Sequence, residues 1–158
     1  MKKNNKGFTL VELIVVLVIL AILAAILVPT LLGYIERARS EKDFSTAQTV
    51  RVAAQAAIDQ AYGDGVKCDT TSKVTAISDM DQDGWTGAAA DANSTDASKK
   101  YSKLVYNLSG VDTGKVTDFK FWYADGIITK GWVKINGVFY KLEGGQWTSA
   151  GTGEPTFT

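Results

Sequence analysis

Glu12 is the residue whose chemistry most needs explaining. It stands at the edge of an apolar run from Leu13 to Val28, and the chain stays uncharged as far as Ile35. Ionisable groups in such segments are costly and usually mark function, so this carboxylate calls for a partner. A second candidate group is Asp79-Met80-Asp81-Gln82-Asp83-Gly84. Three carboxylates at alternate positions before a glycine match the first half of a calcium-binding loop. The bidentate acid that completes such a loop would fall at Ala90, with Asp91 one step late. The plainer reading of Asp79, Asp81 and Asp83 is a solvated acidic turn. Calcium is therefore an optional ligand, and no cofactor is required.

The remaining inventory argues against catalysis. The chain has no histidine, which removes the usual general base and the commonest metal ligand. Its single cysteine, Cys68, allows neither a thiolate metal cluster nor an internal disulfide and reads as a small loop residue. The expectation is a protein that is not an enzyme.

The elements around Glu12 set its context. Lys2, Lys3 and Lys6 precede the apolar run, whereas Glu36, Arg37, Arg39, Glu41, Lys42 and Asp43 follow it with balanced sign. By the positive-inside rule the amino terminus faces the cytoplasm and the chain beyond Ile35 lies outside. A secretory signal core runs to about 7–15 residues, while about 20 apolar residues span a bilayer. The stretch from Leu13 to Ile35 fits the longer class, and Val28-Pro29-Thr30 offers no small-residue cleavage site.

Lys6-Gly7-Phe8-Thr9-Leu10-Val11-Glu12, with its basic leader and apolar sequel, resembles the amino terminus of type IV pilins and of the related pseudopilins. The resemblance covers the leader and first helix, about a third of the chain. It implies that prepilin peptidase cuts between Gly7 and Phe8 and that Phe8 becomes N-methylated. Glycine before the cut leaves an unhindered backbone. Cutting there leaves fourteen basic residues against seventeen acidic, about −3, from seventeen of each. The resemblance also implies that Glu12 pairs with the Phe8 ammonium of a neighbouring subunit, rewarding correct axial register. No basic patch suggests sequence-specific nucleic-acid binding.

Ala47, Val50, Ala54, Ala57, Ile58 and Ala61 recur at three- and four-residue steps and extend the helix into water, until Gly63 and Gly65 stop it. Pro29 removes one backbone hydrogen bond and, near Gly33, predicts a kink or local melting. In the family this residue would be a soft joint for packing. Phe119, Phe121 and Tyr123 alternate along one strand, and Asp125-Gly126, Asn136-Gly137 and Gly144-Gly145 mark tight turns between later ones. The expected fold is α+β: a long amino-terminal helix, half membrane or filament core and half amphipathic, packed on a 3–4-stranded antiparallel meander in a pilin-like ladle. The organisation expected is a cleaved leader at 1–7, a hydrophobic helix at 8–35 and an extracellular head at 36–158. Within the head lie an amphipathic helix at 36–62, a connecting loop at 63–114 and the meander at 115–148. Tyr101, Leu104, Val105 and Leu108 predict a short helix inside that loop. Asn93-Ser94-Thr95 and Asn107-Leu108-Ser109 match the short glycosylation sequon.

The expected function is a major-type subunit of an extracellular type IV pilus that supports adhesion, motility or biofilm. Its partners would be other pilin subunits, prepilin peptidase and the inner-membrane pilus assembly machinery, with residence in the membrane before assembly. The alternatives are a pseudopilin of a type II secretion or competence system, or a monomeric membrane-anchored binding ectodomain. Length and the large loop favour a true pilin. The single cysteine departs from the disulfide-bounded loop of many Gram-negative pilins and points to a Gram-positive source. No LPxTG-like signal is present, and the tail from Gly151 to Thr158 is not hydrophobic, which argues against sortase attachment.

Overall fold

The protein is described from a computed structural model at residues 7–65, 85–88 and 99–157. Helix α1 runs Leu10–Gly63, and the chain divides into two compact units between Glu41 and Lys42. In the second unit follow β1 (Trp85–Ala88), α2 (Lys100–Ser109), β2 (Val116–Ala124), β3 (Ile127–Ile135), β4 (Val138–Glu143) and β5 (Gln146–Gly151). The five strands form one antiparallel sheet in the order β1-β2-β3-β4-β5. The fold is α+β.

Three two-residue turns make the meander. Asp125 and Gly126, Asn136 and Gly137, and Gly144 and Gly145 all have positive φ, as the tight turns that match strand twist require. At the third turn the positions are both glycine, so no side chain is strained there.

The core is an aromatic sheet face laid on a nearly bare helix. Phe119, Phe121 and Tyr123 of β2 are buried with Val133 and Ile135 of β3 and Tyr140 and Leu142 of β4. Against them lie Ala47, Val50, Ala53, Ala54, Ala57, Ile58 and Ala61 of α1. Each fully buried ring contributes roughly 2–3 kcal/mol of transfer free energy. All six stripe residues expected from the sequence are buried, and Ala53 joins them.

Polar side chains fix this helix against the sheet. The Gln55 amide donates to the Gly126 carbonyl at 2.6 Å and accepts from the Ile128 N–H at 3.1 Å, so it continues the backbone ladder beside the β2–β3 turn. Trp147 Nε1 donates to Gln48 Oε1 at 2.8 Å. The Tyr140 hydroxyl donates to Asp43 Oδ2 at 2.8 Å, and burial with this bond pushes its pKa up to about 12. Asp64 and Lys100 meet at 2.6 Å, and Tyr101 donates to the same carboxylate oxygen. These two bonds lower the Asp64 pKa, and the Asp64 bond raises that of Lys100.

Two details differ from the sequence reading. The sheet has five strands rather than three or four, because Trp85–Ala88, within the expected 63–114 loop, pairs along the free edge of β2. The meander also extends to Gly151, since β5 keeps its ladder with β4 beyond residue 148. The first strand carries little pattern of its own and is specified by its neighbour. Gly87 lies opposite Phe119, whose ring occupies the space a side chain would need. Gly131 stands in the same relation to Phe121. The expected short helix is present as α2, with Tyr101, Val105 and Tyr106 buried and Gly110 closing it in the left-handed conformation.

Gly131→Ala should therefore destabilise the protein by about 1–3 kcal/mol, because its Cβ would meet both the Phe121 ring and the Lys120 carbonyl. Gly63→Ala, in open space at a helix end, should cost nothing measurable. Denaturant melts of the full-length protein in detergent would compare the two.

Candidate functional site

Gly7, Phe8 and Thr9 precede α1 in non-helical conformation. Nothing lies within 4 Å of the Cβ position at Gly7, and Phe8 is 89% exposed. The Gly7–Phe8 peptide is thus an open stretch of backbone just ahead of a helix. This is the form a protease can bind, because backbone outside a helix leaves amide and carbonyl groups free of intrahelical bonds.

Glu12 is held by Thr9 in a reciprocal cap. The Thr9 N–H donates to Glu12 Oε2 at 2.9 Å, and the Thr9 hydroxyl donates to the same oxygen at 2.7 Å. In return the Glu12 N–H donates to Thr9 Oγ1 at 3.3 Å. Thr9-Leu10-Val11-Glu12 is a capping box, T-x-x-E immediately before an apolar run. The carboxylate also lies in the first helical turn, where exposed N–H groups favour negative charge. Thr9 is the site residue that the sequence reading missed, although this spacing was its signal.

The cap solves half of Glu12's problem. Two neutral donors satisfy one carboxylate oxygen, but among the described residues no cation neutralises the charge. Beyond it, every large apolar side chain from Leu10 to Leu32 is between 50 and 75% exposed. The helix has the length and composition to cross a membrane. It is unbroken at Pro29, where the Thr30 hydroxyl donates to the Leu27 carbonyl at 2.8 Å. Local melting is thus absent from the single chain.

Residues 2–28 match the family model described as the prokaryotic N-terminal methylation motif. The chain carries a type IV prepilin leader. The geometry fits that match: an accessible Gly7–Phe8 bond, a capped glutamate one turn on, and an apolar membrane-anchoring helix behind it. No curated protein and no solved structure matches the chain. The leader up to Lys6, Cys68, and the Asp79, Asp81 and Asp83 of the calcium expectation lie outside the described residues.

Thr9→Val keeps the shape of the side chain and removes both hydroxyl bonds. Loss of such a cap costs about 1 kcal/mol. Amide exchange at Leu10 to Leu13 of the full-length protein in detergent should quicken, while exchange around Ala54 stays unchanged. Equal rates at Leu10 to Leu13 in the two proteins would show that the cap contributes nothing.

Proposed function

We propose that this prepilin is a non-enzymatic filament subunit, cut between Gly7 and Phe8, methylated on Phe8 and polymerised into an extracellular type IV pilus through its apolar helix. The observation that carries the reading is the pairing of a membrane-grade helix with a carboxylate that is capped but not neutralised. In the bilayer, lipid covers the side chains from Leu10 to Ile35. Once out of it, that surface needs neighbouring helices, since leaving it in water is costly at each residue. Cleavage creates a new ammonium at Phe8. The oxygen of Glu12 that Thr9 leaves free can receive this group from the next subunit, so charge compensation and axial register come together.

The head offers a complementary surface. Val52, Ala53 and Ala56 of α1 with Leu108 of α2 line an open, largely apolar groove of about 420 Å³. It is open to solvent and available to a packed neighbour. Pro29, which lacks a backbone donor, gives the helix its weakest point for adjustment during packing.

Intact-mass analysis of protein from its native membrane should find a chain beginning at methylated Phe8. A retained leader would favour an anchored monomer instead. In a strain whose only copy of the subunit is Glu12→Ala, membrane insertion should persist while surface filaments fall at least tenfold by electron microscopy of sheared fibres. Wild-type piliation in that strain would refute the pairing. Wild-type cells lacking long fibres that contain this chain would assign it to a pseudopilus.

A further inference from the structure

Glu36, Arg37, Arg39, Glu41, Lys42 and Asp43 follow the apolar segment along α1. At about 100° of rotation per residue, two of these share the face of Glu12. Arg37 lies about 20° to one side of it and Glu41 about 20° to the other, whereas Arg39 stands on the opposite face. Between the two ends the same face carries Val16, Ile19, Leu23, Thr30 and Tyr34, all exposed. The Thr30 hydroxyl is already bonded to the Leu27 carbonyl and brings no unpaired donor to it. This face is therefore apolar in the middle and charged at both ends. From Glu12 to Glu41 it lies within the first compact unit, where α1 is continuous through Pro29.

The two ends repeat one spacing. Arg37 precedes Glu41 by four residues, as Phe8 precedes Glu12, and that step is about one helical turn. Once the chain begins at Phe8, each pair has a cation first and an anion second. Within one chain Arg37 Nε lies 3.6 Å from Glu41 Oε1, with the side chains 83% and 71% exposed. An ion pair so exposed stabilises little, and a basic residue ahead of the acidic one is the weaker order for supporting a single helix. Both groups are open to a partner from outside the chain.

We propose that α1 of a second copy of this chain packs along this face, parallel and displaced by about one turn, so that Arg37 of one copy meets Glu41 of the next while Phe8 meets Glu12. This contact rests on the filament reading and adds a second point of register to it. With no displacement, Glu12, Arg37 and Glu41 would each face their own counterpart, and like charges repel. A second turn of displacement would bring Glu41 level with Gly33 and lose the pair. Displacement by one turn sets opposite charges together at both ends, about 43 Å apart at 1.5 Å of rise per residue. Two pairs so far apart hold the helices parallel as well as in register, which one pair alone cannot do.

Charge reversal with complementation tests the contact. Arg37→Glu sets two carboxylates against each other across it, and Glu41→Arg sets two guanidiniums. In strains making either variant as the only subunit, filaments counted by electron microscopy of sheared fibres should fall at least tenfold, with the subunit still in the membrane. Co-expression of the two variants should restore most of the wild-type filaments, because each then offers the charge the other needs. Within each variant chain the two positions carry like charge, so rescue comes only from contact between chains. Arg39→Glu, on the opposite face, should leave piliation unchanged. Wild-type filaments in either single-variant strain, no rescue on co-expression, or a loss with Arg39→Glu equal to that with Arg37→Glu would each overturn the pairing while leaving the filament reading in place. Fibres absent from the wild type would remove that reading and the pairing with it.

Discussion

The head depends on one packing constraint: aromatic side chains of the sheet need a helix surface with almost no side chains of its own. Phe119, Phe121, Tyr123 and Tyr140 fill the space above the strands, and Ala47, Ala53, Ala54, Ala57 and Ala61 leave room for them. Larger residues at those helix positions would force the sheet away or push rings out of their rotamers. Where the sheet itself is crowded, the same rule operates between strands, with Gly87 under Phe119 and Gly131 under Phe121. Large residues are thus set against small ones in both directions.

A second constraint governs the other unit. Among the described residues its large apolar side chains from Leu10 to Leu32 are exposed, a surface suited to lipid or to other copies. Thr9 and Glu12 begin this helix with reciprocal hydrogen bonds, which pair the Thr9 and Glu12 N–H groups at the start of an apolar segment. Among the described residues no cation neutralises the Glu12 charge, and hydrogen bonds from Thr9 lessen that charge without cancelling it. Capping and ion pairing are therefore separate tasks carried by one side chain.

Much of this was legible in the residues. The stripe from Ala47 to Ala61 follows helical period, and Phe119, Phe121 and Tyr123 follow strand period, so each announces its buried face. Asn136-Gly137 and Asp125-Gly126 place the turns because few other pairs accept positive φ at both positions. Trp85–Ala88 was not legible: four residues with two small ones make no pattern, and their place is set by the β2 edge and the ring of Phe119. Thr9 had a signal, but the membrane character of the run hid its helix-start chemistry. The outer sheet face was invisible for another reason. Its Lys120, Trp122, Lys130, Trp132 and Lys141 form a cluster only when three strands are in register.

The order of the strands carries a consequence for how the head forms. Each strand of the sheet pairs with the one before it in the chain, and the last three connections are two residues long. Most contacts within the β2–β5 meander therefore join segments close in sequence, which lowers the loop-closure entropy that slows all-β topologies. A chain tethered at one end can zip its hairpins one after another from β2 to β5. The β2 edge that takes β1 is different, because that partner lies on the far side of α2 in the chain.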